Sequence, residues 1–525
     1  MYLFSMKSFF RIGLVFIFSW IALSSSAQLQ VAASRPDANY EAGEMMYFEI
    51  TSPTWGPVDY VIRYDVKMPP LASGTVVVNP NTPTKIPFVM EEPGSVLCSV
   101  SKNGEFATGG AIFSRFDLEP IEEEPADFDN FWNGVKAELA AVPMNPVLTF
   151  YDSTSLSETY RINLGNINNR RVYGFLSIPK GIPPPYPAIL TLPPFGNAAN
   201  NAPPQPIISE WGGAISLSIS IHNSEPDVVD PNSYLPNNIA DRDGIYYKQA
   251  ITGAIRAIDY IFSRSDFNGT DLGVAGISQG GGLALMTAGI DHRVKSLAQT
   301  VSALCGHSGH RYDRAAGLPL YILDSRGTYG NISHEDSTLV ASKYYDGIYF
   351  AKRFHGPALS FISYADTISP ASTILTAINQ LDEKGIIMHS IRLGHDNPMG
   401  FWDMRFEFWR KTFPAMDTNP FPWTLHTTGY DADAGNDIFI STNGTANLSA
   451  TVTYNGAPLN GLSAKWMVVD GPGKVSFSSP TSYSTNATFS QSGTYTLRFV
   501  ATDTPNLNTE WEFFTIYDFV KVTVN

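Results

Sequence analysis

Ser278 stands in the pentad Gly276-Ile277-Ser278-Gln279-Gly280, between the apolar run that ends at Ala275 and the run LALMTAGI. A serine hydroxyl is inert near neutral pH until a base takes its proton, and the base needs a carboxylate to hold its ring. Glycines two residues to either side let a strand and a helix approach closely, and the tight turn lifts the serine clear of the sheet. Small residues in this pattern also fit a packing turn. The strand before and the helix after make it a nucleophile elbow.

On such a fold the chain order is serine, acid, histidine. His292, His307, His310, His334, His355, His389, His395 and His426 all follow Ser278. The base belongs in a loop just past the C-terminal end of a late strand. His395 meets that condition, directly after IIMHSIRLG, whereas His389 lies inside the strand, where a satisfied half-buried histidine is the simpler reading. His426 falls in a linker. The run ALSFISYAD ends on Asp366 and TISP then opens a helix, so this carboxylate emerges at the sheet edge that carries the serine. An aspartate before a helix start also reads as a cap.

A developing oxyanion needs two preorganised N–H donors. One is the backbone of Gln279, at the start of the helix where the dipole helps. The second comes from the loop in PAILTLPPFGNAANN. Pro193 and Pro194 have no N–H, which leaves Phe195 or Gly196, and Phe195 is the expected donor.

The elements that must position these groups fall into three stretches. From Phe128 to about Phe413, candidate strands (VYGFLSI, PAILTL, AISLSISI, LGVAG, ALSFISY, IIMHSIRL) alternate with helical runs. Ile251, Ala254, Ile255, Ile258, Ile261 and Phe262 keep a 3.6-residue beat, one apolar stripe to lay on a sheet. The expected class is α/β, a doubly wound, mostly parallel sheet over residues 116–420. Before it, residues 28–115 read as short strands between turns, an immunoglobulin-like β-sandwich followed by the acidic, proline-rich linker EPIEEEPADFD. After it, residues 427–525 read as a second sandwich, joined through PFPW.

Bulk properties narrow the function. The net charge of −15 becomes −17 once Lys7 and Arg11 are removed with residues 1–27, so nucleic acid and anionic polymers are repelled and neutral substrates are favoured. Only Cys98 and Cys305 are present, which excludes a disulfide framework or a cysteine metal site. Both read as buried small hydrophobes. Lys7 and Arg11 precede an apolar run from Ile12 to Leu23, and Ser25-Ser26-Ala27 offers small residues for cleavage. The run is short of the ~20 residues that a span needs, so residues 1–27 read as an export signal.

Roughly residues 127–413 resemble the acetyl xylan esterase and cephalosporin C deacetylase family, α/β-hydrolase carbohydrate esterases. The resemblance rests on ADFDNFW, GISQGGGLAL, YYDGIYFAKRFHGPALSFISYADTISPAST and IRLGHDN. Carried over at those positions, the family's nucleophile, acid and base fall on Ser278, Asp366 and His395. Two segments depart: Pro193-Pro194-Phe195 stands where the family has His-Gly-Tyr, and ISIHNSEPD replaces its Asp-Thr-Arg-Gly-Gln-Gly. The C-terminal stretch is similar to polycystic-kidney-disease-type and other immunoglobulin-like modules.

The resemblance implies a serine esterase that removes acetyl groups from acetylated oligo- or polysaccharides such as xylan, and the export signal implies a secreted, periplasmic or cell-surface location. It implies no cofactor and no metal, and it leaves the oligomeric state open because the family's rings lack these flanking regions. Two other readings stand beside it. One is another α/β-hydrolase reaction, feruloyl ester or peptide cleavage; the other is a surface polysaccharide-binding protein with an inactive hydrolase core.

Overall fold

The computed structural model describes residues 28–196, 202–229, 234, 238–322, 335–398, 401–417, 429–505 and 513–525. The expected export signal, the PFPW linker, His334 and His426 lie outside the described residues.

The N-terminal stretch forms eight strands: β1 (Gln30–Ala33), β2 (Asn39–Tyr40), β3 (Met46–Thr51), β4 (Gly56–Arg63), β5 (Ala72–Val78), β6 (Thr84–Phe88), β7 (Gly94–Lys102) and β8 (Glu105–Phe113). They make two sheets, ordered β1-β3-β6 and β2-β8-β7-β4-β5. Alternation does the work here: Met46, Phe48 and Ile50 are buried on β3 while Tyr47 is exposed, the one-sided pattern of a sheet that covers a core.

After the linker come α1 (Phe128–Ala140), β9 (Val147–Ser153), β10 (Ser157–Gly165), β11 (Arg171–Pro179), β12 (Tyr186–Leu192), α2 (Pro206–Gly212), β13 (Ile215–Ser220), α3 (Tyr247–Phe262), β14 (Phe267–Ile277), α4 (Gln279–Ile290), β15 (Ser296–Thr300), β16 (Ala358–Ser363) and β17 (Gly385–Ser390). Strands β13, β12, β14, β15, β16 and β17 are parallel neighbours in that order, and β11, β10 and β9 continue the sheet antiparallel. The parallel strands are buried along nearly their whole length, as a sheet covered on both faces requires. The stripe read from the sequence lies on α3, with Ile251, Ala254, Ile255, Ile258 and Ile261 all buried. This is the α/β-hydrolase arrangement.

The C-terminal stretch does more than follow it. Its strands are β18 (Tyr430–Asp433), β19 (Ile438–Ile440), β20 (Thr445–Ser449), β21 (Thr451–Tyr454), β22 (Ala457–Pro458), β23 (Ser463–Asp470), β24 (Val475–Phe477), β25 (Ser484–Phe489), β26 (Gly493–Thr502) and β27 (Phe513–Val524). Two small sheets, β18-β21-β22 and β20-β25-β24, stand apart, but β27 pairs antiparallel with β17, and β26 and β23 extend the same sheet outward. An unpaired edge strand presents a row of free N–H and C=O groups, and β27 satisfies those of β17. The hydrolase sheet and the C-terminal strands are therefore continuous.

Cys98 and Cys305 are unbridged and buried. Burial pushes the Cys98 thiol up to about 12 and raises that of Cys305, so both stay protonated. Among the described residues no helix is long and apolar enough to cross a membrane.

Candidate active site

The strand order brings four C-terminal ends to one edge, because β14, β15, β16 and β17 are adjacent and parallel. Ser278 follows β14, Asp366 lies three residues past β16, and His395 lies five past β17.

The elbow is tight. Ser278 has φ 57° and ψ −122°, a conformation that a non-glycine residue adopts only when its surroundings enforce it. Three contacts do so: Ser278 N–H donates to Thr300 O (2.8 Å), while Ser278 O accepts from Gly282 N–H (3.1 Å) and Ala303 N–H (2.9 Å). The neighbouring glycines allow that closeness. A Cβ at Gly276 would stand 2.1 Å from Gly280 O, and one at Gly280 would stand 2.2 Å from Leu192 O. Packing turn and nucleophile-elbow geometry turn out to be the same structure.

Ser278 Oγ lies 2.8 Å from His395 Nε2, and His395 Nδ1 lies 2.8 Å from Asp366 Oδ2. A carboxylate only accepts, so the His395 proton sits on Nδ1 and Nε2 is left to accept from the serine. The other oxygen of Asp366 accepts the N–H groups of Ile368 and Ser369, at 2.8 and 2.9 Å. Capping and orienting, alternatives on paper, are thus shared between two oxygens. The side chain of Asp366 is fully buried, whereas that of His395 keeps 19% of its exposure.

The loop after β12 is clamped by the side chain of Gln279. Its amide nitrogen faces Pro193 O (3.5 Å) and Pro194 O (3.2 Å), and its Oε1 accepts from the hydroxyls of Tyr247 (2.8 Å) and Tyr234 (3.1 Å). Gly196 N–H donates to Tyr234 Oη at 2.9 Å, and His222 Nε2 faces Gly196 O at 2.9 Å. Gly196 O only accepts, so His222 carries its proton on Nε2. With Gly196 N–H engaged, Phe195 N–H is the loop donor left without a partner among the described residues, and Gln279 N–H is likewise unpartnered there. Burial raises the phenols of Tyr234 and Tyr247, so both remain donors.

The other histidines have different partners. His389 is fully rather than half buried, its ring between Tyr364 and Thr515 hydroxyls. His310 pairs with buried Asp65 of the N-terminal sheet, and His355 meets Asp382 at the surface. Trp132 is buried, with its indole N–H on Tyr344 O. A 450 Å³ cavity, lined among others by Ser95, Arg314, Asp346 and Ser372, contains no member of the serine, histidine and aspartate group. Among the described residues, no three His, Cys, Asp or Glu side chains stand close enough to hold a metal ion.

The clamp of Gln279, Tyr234, Tyr247 and His222 was missed in the sequence. Only the Gln279 backbone was considered, and nothing in ISIHNSEPD ties a histidine to a glycine 26 residues earlier.

Residues 116–413 match the acetyl xylan esterase (AXE1) family. Acetyl esterase Axe7A of Xylanibacter ruminicola is 29% identical over 353 residues, which cover 64% of this chain and 79% of that protein. In structure, an acetyl xylan esterase from Paenibacillus sp. R4 superposes with a TM-score of 0.51 at 24% identity, over 57% of this chain and 98% of the other. Acetyl xylan esterase 1 from Thermoanaerobacterium sp. gives the same TM-score at 21% identity, again over 57% and 98%.

Proposed function

The chain belongs to the acetyl xylan esterase family and is a carboxylic ester hydrolase of the carbohydrate-esterase kind, and from that premise we propose that it removes acetyl groups from acetylated sugars such as xylan or xylo-oligosaccharides by a Ser278–His395–Asp366 triad. The observation that carries the reading is the unbroken pair of 2.8 Å contacts from serine to imidazole to carboxylate.

His395 Nε2 takes the Ser278 proton as Oγ attacks the acetyl carbonyl carbon, and the carbonyl electron pair moves onto oxygen. Phe195 N–H and Gln279 N–H hold that oxyanion, which they stabilise without reorganising because the Gln279 clamp fixes the loop. The intermediate collapses, the C–O bond to the sugar breaks, and the alcohol leaves with the proton from His395. Water then attacks the acetyl-serine by the same route, releasing acetate and restoring the hydroxyl. Asp366 keeps the ring in the required tautomer throughout.

Residues 1–27 act as an export signal in this reading, supported by the basic and then apolar pattern of that stretch. In this reading residues 28–115 form a β-sandwich ahead of the esterase domain, 116–420, and residues 427–525 form a β region whose strand β27 joins the hydrolase sheet.

Acyl selectivity tests the substrate class. Hydrolysis of nitrophenyl acetate should fall steeply on going to butyrate and longer chains. A preference for feruloyl esters or peptides would replace deacetylation with another α/β-hydrolase reaction, and polysaccharide binding without turnover would replace it with a binding role.

A further inference from the structure

Both flanking β regions reach the segments that lead to Asp366 and His395 through one polar circuit. Arg115, just beyond β8, donates from Nη2 to Thr502 Oγ1 on β26 (3.0 Å). Thr502 Oγ1 meets Thr515 Oγ1 on β27 (3.2 Å), and Thr515 meets His389 Nε2 on β17 (3.0 Å). His389 Nδ1 meets Tyr364 Oη (3.2 Å), and Arg115 Nη1 closes the ring on that oxygen at 3.5 Å. Asn39 Oδ1, from β2, accepts from the same hydroxyl at 3.2 Å.

One set of proton positions satisfies every member. Arg115 donates to Thr502, Thr502 to Thr515 and Thr515 to His389 Nε2; His389 Nδ1–H and Arg115 donate to Tyr364, which donates to Asn39. That set needs a neutral His389, and His389, Thr515 and Tyr364 are all essentially inaccessible to water. Phe513 stacks on the imidazole at 4.3 Å and 5°, which fixes the plane of the ring.

The ring's position gives it a role. Tyr364 is two residues before Asp366, and His389 lies on the strand that ends five residues before His395. Tyr364 N–H also donates to Ser390 O (2.8 Å), so the departures of the acid and base strands are tied together at this point. Two further contacts from the N-terminal sheets press on the acid loop. Gly110 on β8 packs so closely that a Cβ there would stand 1.7 Å from Tyr364 O, and Ser95 Oγ accepts the N–H of Ser372 (3.1 Å) in the helix after the acid.

We propose that this circuit, supplied by the N- and C-terminal β regions, sets the mutual placement of Asp366 and His395, so that Arg115, Tyr364, His389 and Thr502 are positioning residues for ester hydrolysis. None of them touches substrate; they act through the loops that carry the acid and the base. The flanking regions are then part of the catalytic framework rather than appended modules. The inference rests on the triad reading above.

The test uses the full-length chain with nitrophenyl acetate, counting competent sites by titration with a serine-reactive phosphonate. Tyr364→Phe removes the hydroxyl where the circuit closes and should lower kcat per titrated site about tenfold with KM nearly unchanged, since a small misplacement of catalytic groups is costly. Thr502→Val keeps the shape but breaks the C-terminal link, and should lower kcat about threefold. Should Tyr364→Phe fail to fold, Thr502→Val decides. Wild-type kcat per titrated site overturns the proposal, including the case where lost activity reflects only fewer folded molecules. A Ser278→Ala protein that keeps full activity removes the triad reading and this proposal with it. A dead Ser278→Ala beside an unaffected Tyr364→Phe and Thr502→Val removes the positioning role alone.

Discussion

The Ser278 side of the site and the Asp366–His395 side are held in different ways. Around Ser278 the support is internal to the hydrolase domain: Gln279 grips Pro193 and Pro194, Tyr234 and Tyr247 grip Gln279, and His222 grips Gly196. Around Asp366 and His395 it is borrowed, from Asn39, Ser95, Gly110 and Arg115 on one flank and from Thr502 and Thr515 on the other. The two halves of one mechanism should therefore respond differently to damage in the flanking regions.

The largest effect belongs to His395, which bonds Ser278 on one side and Asp366 on the other. His395→Ala should reduce kcat by about 10⁴-fold or more with KM little altered, because it removes the base itself. A reduction of less than tenfold would mean that another group takes the proton. Next comes the internal support. Gln279→Leu removes the acceptor of the Tyr234 and Tyr247 hydroxyls and the amide that faces the Pro193 and Pro194 carbonyls, so the loop after β12 should shift and kcat should fall about 10²-fold. If the comparison holds, this variant keeps wild-type thermal unfolding of the C-terminal strands, followed by hydrogen exchange along β27.

Damage from the flank should be milder and of a different kind. Gly110→Val places a Cβ 1.7 Å from the Tyr364 carbonyl oxygen, and the misfit should cost about 1–3 kcal/mol of stability or more, read as a lowered Tm, with kcat reduced severalfold. The rate of phosphonate labelling at Ser278 in an Asp366→Asn background should not respond to Gly110→Val, since the acid is then already disabled. Additive losses would show that the flank acts on the nucleophile side as well.

The smallest effect concerns pH. Burial, with the charge of Arg115 nearby, holds the His389 imidazole well below its usual range. The unfolded chain takes up that proton near the ordinary value of about 6.5 while the folded chain does not, so this contribution to stability is complete above about pH 6.5 and shrinks as the pH falls. His389→Gln should narrow the gap between Tm at about pH 7.5 and at about pH 5 relative to wild type, while lowering both. Burial raises the Tyr364 phenol, the other group bonded to the imidazole, so it stays neutral across that interval.

The contrast between the halves also marks what could be read from the chain. Ser278, Asp366 and His395 were legible because each closes a strongly apolar strand, and strand ends in a parallel sheet share one edge. Strand β15 was not. Its residues, SLAQT, carry a glutamine and two hydroxyls that look wrong for a core until Gln299 is seen to donate to Ser360 on the next strand (3.0 Å). The Gln279 clamp was hidden for the opposite reason: the elbow motif drew attention to its backbone and away from its side chain.

The borrowed half was hidden altogether. His389 and Thr515 are 126 residues apart, and a strand that completes a sheet edge has no sequence mark naming its partner. The C-terminal stretch reads as a free-standing sandwich because most of its strands do form separate small sheets. Only the pairing of β27 with β17 turns an appended region into part of the hydrolase sheet.

Acetate release from acetylated xylo-oligosaccharides by the full-length protein and by Ser278→Ala tests the central claim most directly. The expected result is steady acetate production by the wild type, and loss of at least about 10³-fold in the variant without change in its unfolding transition. Equal release by both proteins would contradict the account, since it would place the chemistry on a residue other than Ser278.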